Sequence, residues 1–202
     1  MARRSDHSRN DIHDMALAAA EHLVETEGAP GLSTRKVAAQ IGYTVGTLYL
    51  VFENLDDLIL QINGRTLDRL YDRLKSATHN CRQPQRCIEA MAHTYIEFAV
   101  ANHKRWQLVF EHVHPDAGPL PGDYQAKVQR MFDLVEQQLR VLLGAQAPRQ
   151  AANAARALWC GVHGVCSLAI SKKLEVTGVK SVHGLTDTLV DNFLRGLTVK
   201  RK

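Results

Sequence analysis

Residues 33–52, STRKVAAQIGYTVGTLYLVF, hold the spacing in this chain that most resembles a chemical device. Two short apolar-faced stretches meet at Gly42, with Val37, Ala38, Ile41, Leu48 and Val51 able to form a small mutual core. Such a pair is a helix-turn-helix, whose second helix can enter a DNA major groove. A purely structural corner between two helices has the same spacing. The chemistry on offer is hydrogen bonding rather than bond-making. Thr44, Thr47 and Tyr49 carry hydroxyls for phosphates or base edges, and Gly46 lets the backbone approach a duplex closely. Arg35 and Lys36 stand beside the N-terminal amides of the helix that opens the motif, a favourable place for a phosphate. Arg3, Arg4 and Arg9 form a basic arm ahead of it. Together with Ser33, Thr34 and Val45, these are the expected DNA-contacting residues.

The other reactive side chains do not assemble into a catalytic pattern. No nucleophile–base pair, paired-carboxylate motif, phosphate loop or metal-ligand spacing occurs, so catalytic residues, a bound metal and a cofactor are not expected. Cys81, Cys87, Cys160 and Cys166 lack C-x-x-C spacing, and within each pair the six-residue separation puts the thiols on different helix faces. The expectation is four reduced thiols. His112 and His114 flank Val113 with no carboxylate or cysteine cluster nearby in sequence. Two rival readings stay open: a redox sensor using Cys160 or Cys166, and an all-helical carrier or enzyme whose catalytic residues are scattered.

Eight of the twelve aromatic residues lie between Tyr71 and Trp159. Helices rich in aromatic and aliphatic side chains can enclose a mostly apolar pocket with a few polar groups. Tyr95, Phe98, Trp106, Phe110, Phe132, Trp159 and His163 are the expected wall of such a pocket for a small apolar effector. His163 follows Trp159 by one helical turn and so shares its face.

The elements that must position these residues are helical throughout. Apolar spacing between breaks follows the helical period, no convincing period-2 strand occurs, and each of the six prolines falls near a break. The expected helices run about 10–26, 34–41, 45–51, 54–76, 86–101, 104–112, 123–143, 149–173 and 183–199. Ser8 with Asp11 fits a capping box, and Ser33 and Thr44 fit N-caps. The helix at 149–173 is rich in alanine and carries Gly161 and Gly164; small residues allow another helix to come close. Its uncharged stretch, 157–171, is shorter than the roughly 20 apolar residues a membrane span needs. No apolar run follows the N-terminal arginines, so neither a signal peptide nor a membrane partner is expected, and the expected location is cytoplasmic.

The chain has 202 residues, 45% of them hydrophobic and 23% charged, which suits a globular protein and excludes a mainly disordered one. Its net charge of +4 hints at an acidic partner, but the distribution runs the other way. Six basic and nine acidic side chains put residues 1–65 at −3, leaving +7 for the rest. From Gly42 to Gly64 there is no Lys or Arg. Any DNA contact must therefore rest on local geometry rather than bulk charge.

Residues 9–62 resemble the DNA-binding domain of the TetR/AcrR family of bacterial transcriptional regulators. Ser33, Val37, Ala38, Ile41, Gly42, Thr44, Gly46, Thr47, Leu48, Tyr49, Phe52 and Leu58 fall in register with that family's motif. Trp159, His163 and Gly164 resemble the Trp…His-Gly signature of one C-terminal subclass. Two positions depart from the pattern: Val51 stands where the family often has His or Tyr, and Leu55 where it usually has Lys. The resemblance implies an all-α protein of about nine helices. Residues 1–53 would form the DNA-binding domain, joined by a long helix to a ligand-binding and dimerisation domain at 54–202. It also implies a homodimer, with the last two helices pairing with their symmetry mates into a four-helix bundle. Ala154, Leu158, Gly161, Val165, Leu185, Leu189, Phe193 and Leu197 are the residues expected there. The function implied is a ligand-responsive regulator, a repressor released from a pseudo-palindromic operator on double-stranded DNA when a small apolar effector binds.

Overall fold

A computed structural model describes residues 7–112, 119–144 and 148–198. The helices are α1 (Arg9–Glu27), α2 (Thr34–Ile41), α3 (Val45–Leu48), α4 (Leu55–Thr78), α5 (Pro84–Ala101), α6 (His103–Glu111), α7 (Gly122–Leu143), α8 (Pro148–Ile170) and α9 (Val182–Thr198). The architecture is all-helical, with nine helices and no strand among the described residues. The described residues of Met1–Thr66 and Asn102–Leu120 form one compact unit, and those of Leu67–Ala101 and Pro121–Lys202 the other. The division falls inside α4, and α6 belongs to the N-terminal unit.

In the N-terminal unit the local signals act as expected. The Ser8 hydroxyl accepts from the Asp11 amide while the Asp11 carboxylate accepts from the Ser8 amide, closing the capping box on α1. Gly42 ends α2 in the left-handed conformation at φ 76°, where a Cβ would be strained. The core joins Ala16, Leu17, Ala20 and Val24 of α1 to Val37, Ala38, Leu48, Phe52, Leu58, Ile62 and Leu108. Truncating one such leucine to alanine costs about 2–5 kcal/mol. The helix expected over 45–51 ends at Leu48, and residues 49–51 form a turn. The chain must leave α3 there because Asn54 opens the next helix, its Oδ1 accepting from the Asp57 amide at 2.8 Å.

α6 is bound to α1 by charge. Lys104 Nζ donates to the main-chain carbonyls of Glu25 (2.9 Å) and Thr26 (2.6 Å), at a helix end with no basic residue of its own in the last turn. Arg105, buried, pairs with Glu25 at 2.5 Å and with buried Glu21 at 3.5 Å.

In the second unit α5, α7, α8 and α9 pack on one another, and Leu67, Leu70 and Leu74 of α4 are buried. Ala151, Ala154 and Ala155 are buried, so the small side of α8 is used within the chain. A Cβ on Gly161 would stand 3.1 Å from Leu189 Cδ2, which explains that glycine, whereas Gly164 has nothing within 4 Å. Buried Glu136 accepts from Arg140 (3.0 Å) and Arg156 (2.9 Å), linking α7 to α8. α8 ends at Ile170 rather than 173 because Lys172 takes φ 56°, outside the helical region.

One expectation about the cysteines is corrected: Cys81 and Cys87 form a disulfide, with Cα atoms 5.6 Å apart. The face argument failed because Cys81 precedes α5, and the bend into that helix turns the thiol back. Cys160 is exposed and Cys166 buried, both as free thiols. Among the described residues no helix is long and apolar enough to cross a membrane.

Candidate nucleic-acid interface and effector site

α2 and α3 present an inner and an outer side. Val37, Ala38, Leu48 and Phe52 are buried inward. Gly42, Thr44, Gly46 and Tyr49 are exposed, and Thr47 is half-exposed. Tyr49 is 53% and Leu50 55% exposed, large apolar surfaces that α3 leaves to solvent. Leu50 was not among the expected contacts; only its place after Tyr49 could have marked it. A Cβ on Gly46 would meet nothing closer than Thr44 Oγ1 at 3.8 Å, so the fold does not demand glycine there.

Other expected contacts have structural duties as well. The Ser33 hydroxyl accepts from the Lys36 amide at 3.3 Å, and the Thr44 hydroxyl accepts from the Thr47 amide at 3.3 Å. Thr34 is half-exposed and opens α2. Lys36 Nζ is held by Glu27 at 2.5 Å, while Arg9 and Arg35 are exposed. Val45 packs against the core with Val51 and Leu55, the two positions that depart from the family pattern. At those two positions, apolar contact replaces polar reach. Arg3 and Arg4 lie outside the described residues, as does His114. His112, by contrast, is engaged within its unit, 3.0 Å from Asp56.

Residues expected at the effector site divide between the units. Trp106 and Phe110 pack together in the N-terminal unit, ring centroids 4.8 Å apart. In the second unit Trp159 Nε1 donates to the Tyr95 hydroxyl at 3.0 Å, and that hydroxyl lies 2.9 Å from His163 Nδ1. Since indole only donates, the tyrosine can pass its own proton on, making His163 Nδ1 the acceptor. Trp159 stacks on His163 at 5.3 Å and meets the Phe132 edge at 5.7 Å. Burial pushes the Tyr95 phenol well above its usual range, opposed by the Trp159 hydrogen bond, and burial pulls the His163 imidazole down. Both are therefore neutral near pH 7. Phe98 is buried on α5.

Of the expected interface residues, Ala154, Leu158 and Val165 are buried inside this chain, where α8 packs on its neighbours. Gly161, Leu185, Leu189, Phe193 and Leu197 are half-buried. The Cys166 thiol is pushed up to about 12 by burial, which leaves little thiolate for redox chemistry.

A capped helix pair with its polar and glycine side turned outward, on an all-helical chain, defines a helix-turn-helix protein. Residues 16–62 match the model described as bacterial regulatory proteins, tetR family, and residues 88–193 match the Tetracyclin repressor-like C-terminal domain. The chain belongs to the TetR family of transcriptional regulators, and it is a regulator rather than an enzyme. It is similar to an uncharacterised HTH-type transcriptional regulator of Bacillus subtilis, YobS, at 22% identity over 93% of each chain. A Haemophilus influenzae HTH-type regulator is 30% identical over 83 residues, a match that spans 38% of this chain and 44% of that protein. The solved structure of a Rhodococcus protein of unknown function shares the fold, with TM-score 0.76, 23% identity, and coverage of 98% of this chain and 100% of that one.

Proposed function

We propose that this TetR-family regulator is a ligand-responsive repressor that binds a pseudo-palindromic operator as a homodimer. The operator contact is made by Thr44, Gly46, Thr47 and Tyr49, backed by Ser33, Thr34 and Val45. Arg3, Arg4, Arg9 and Arg35 serve the phosphates, while Lys36 is held by Glu27. Twofold symmetry requires half-sites about 34–36 Å apart or a multiple of that. The dimer uses the outer sides of α8 and α9, with Leu185, Leu189, Phe193 and Leu197 contributing their exposed parts.

The observation that carries the ligand-responsive part is the Trp159–Tyr95–His163 chain. Polar groups among aromatic rings cost free energy unless paired, so three in one relay define a polar point in apolar surroundings. A small apolar effector with one polar group suits it. To weaken operator binding 100-fold, the effector must prefer the non-binding state by about 2.7 kcal/mol.

Gly46→Ala and Tyr49→Ala test the DNA contact. Neither position is packed in the core, so both variants should keep the wild-type circular dichroism and sedimentation. Operator affinity should nevertheless fall at least tenfold. Unchanged affinity for a defined operator defeats the assignment. Mass spectrometry of native protein for copurified apolar compounds, with their effect on operator binding, tests the effector site. Compounds whose binding is insensitive to Tyr95→Phe and His163→Ala would place the site elsewhere.

A further inference from the structure

We propose that the α5–α9 seam holds a divalent late-transition-metal site, with His93 and His183 as its two protein ligands. The two Nδ1 atoms face each other at 2.8 Å, with the rings nearly perpendicular at 74°. The outer nitrogens are turned to carboxylates: His93 Nε2 lies 2.6 Å from Asp187, and His183 Nε2 lies 3.6 Å from Glu97. The four side chains come as two pairs one helical turn apart, His93 and Glu97 on α5, His183 and Asp187 on α9. Each helix thus supplies one imidazole and the carboxylate that faces the other helix's imidazole.

His93 with Asp187 has the arrangement a metal-binding imidazole requires, and Glu97 stands beside His183 to serve it in the same way. A ligating histidine presents one nitrogen to the metal and donates its other N–H to a carboxylate, which sets tautomer and ring orientation. With no metal, two Nδ1 atoms at this distance need one proton between them. With a metal, His93 keeps its Nε2–H toward Asp187, and His183 changes tautomer to place its proton toward Glu97. Zn–N bonds of about 2.0–2.1 Å at angles of roughly 90–110° separate two nitrogens by roughly 2.9–3.4 Å. The nitrogens need therefore separate by only a few tenths of an ångström, while each ring turns so that its Nδ1 lone pair leaves the N–N line for a common point beside it. Imidazole nitrogen selects Zn²⁺, Ni²⁺ or Cu²⁺ over Mg²⁺ or Ca²⁺. Among the described residues no group of three or more His, Cys, Asp or Glu side chains is arranged for a metal. The protein accordingly supplies two ligands, and water or a small anion completes the coordination. All four residues lie in the second unit, and the site does not involve the Trp159–Tyr95–His163 relay.

The test titrates Zn²⁺ and Cu²⁺ into full-length, untagged protein against a chromophoric chelator, with Mg²⁺ for comparison and thermal unfolding as a second readout. A Cys160→Ser background removes the exposed thiol as a competing ligand. One metal per chain is expected, with a raised melting temperature and no such response to Mg²⁺. His93→Ala and His183→Ala should each weaken binding at least tenfold. Asp187→Asn can still accept from His93, so it folds and should weaken binding by about 10–100-fold at unchanged stoichiometry. His183 is exposed, so a normal circular dichroism spectrum separates loss of the site from loss of the fold. Zn²⁺ affinity that survives the His93→Ala/His183→Ala double variant, or is lost with Cys160 instead, overturns the proposal. So does binding no tighter than that of Mg²⁺. Operator affinity is not read in this experiment, so its outcome is independent of the repressor reading.

Discussion

Replacing Arg105 by methionine should destabilise the N-terminal unit by about 3–5 kcal/mol, because the buried Glu21 carboxylate loses the Arg105 guanidinium beside it. The two partners of Arg105 are not equivalent. Glu25 is 52% exposed, and despite the 2.5 Å contact its pair is screened and worth at most about 1 kcal/mol. Glu21 and Arg105 have side chains only 9% and 7% exposed, 3.5 Å apart. At an effective dielectric constant of about 20, that separation corresponds to roughly 5 kcal/mol of attraction, which offsets the desolvation of both ions. Removing one ion leaves the other's desolvation in place. Removing both, as in Glu21→Gln with Arg105→Met, should recover most of the loss. The chain provides its own reporter, since Trp106 lies in the N-terminal unit and Trp159 in the other. In a Trp159→Phe background, urea denaturation followed by Trp106 fluorescence reads the first unit directly. With a slope of about 1–3 kcal/mol per molar urea, the single variant should move the midpoint by more than about 1 M, and Glu25→Gln by far less. Equal shifts for Arg105→Met and Glu25→Gln, or a double variant no better than the single, would refute the reasoning.

Four further outcomes are expected. Glu27 holds Lys36, which leaves about four cations per protomer for phosphate; the log affinity of the dimer should fall with log salt at a slope of about −7, and one steeper than about −8 contradicts the proposed contact. His163 is held neutral by burial, so its folded value lies below the unfolded reference. The unfolded chain then takes up more protons as pH falls through about 6.5 and below; stability read by Trp159 in a Trp106→Phe background should drop there, and His163→Gln should flatten the drop. Gly164→Ala should stabilise by up to about 1 kcal/mol in a thermal melt, since nothing lies within 4 Å. Gly161→Ala should gain less, because Leu189 must move. Finally, under native conditions a thiol reagent should label Cys160 but not Cys166, and mass mapping of unreduced protein should recover Cys81 and Cys87 linked; labelling of all four thiols without reductant would disprove the bridge.

The head of the protein was legible residue by residue because its signals are local. Ser8 with Asp11, Ser33 and Thr44 cap helices within three residues of themselves, and Gly42 supplies a backbone conformation other residues resist. The same short-range rules put the inner and outer sides of α2 and α3 in the right places. Helix ends were less legible. α3 stops at Leu48, and α8 at Ile170, where turns rather than apolar periodicity decide. The cysteine reading failed for a related reason, since a helical face argument applies only inside a helix and Cys81 lies before one.

By itself, the sequence determined the helical class, the order of the helices, the caps and the helix-turn-helix, all properties of neighbours within a turn or two. Only the tertiary structure decided which long-range partners meet. Lys104 reaches the carbonyls that end α1, Arg105 meets Glu21, Tyr95 lies between Trp159 and His163, and His93 faces His183 across α5 and α9. Those pairs are separated by 64 to 90 residues, and helical spacing carries no signal over such distances. Whether a residue on an apolar stripe packs inward or is left for a partner is likewise a matter of packing. The stripe through Ala154, Leu158 and Val165 is spent on the chain's own core, because α8 has close neighbours to cover there.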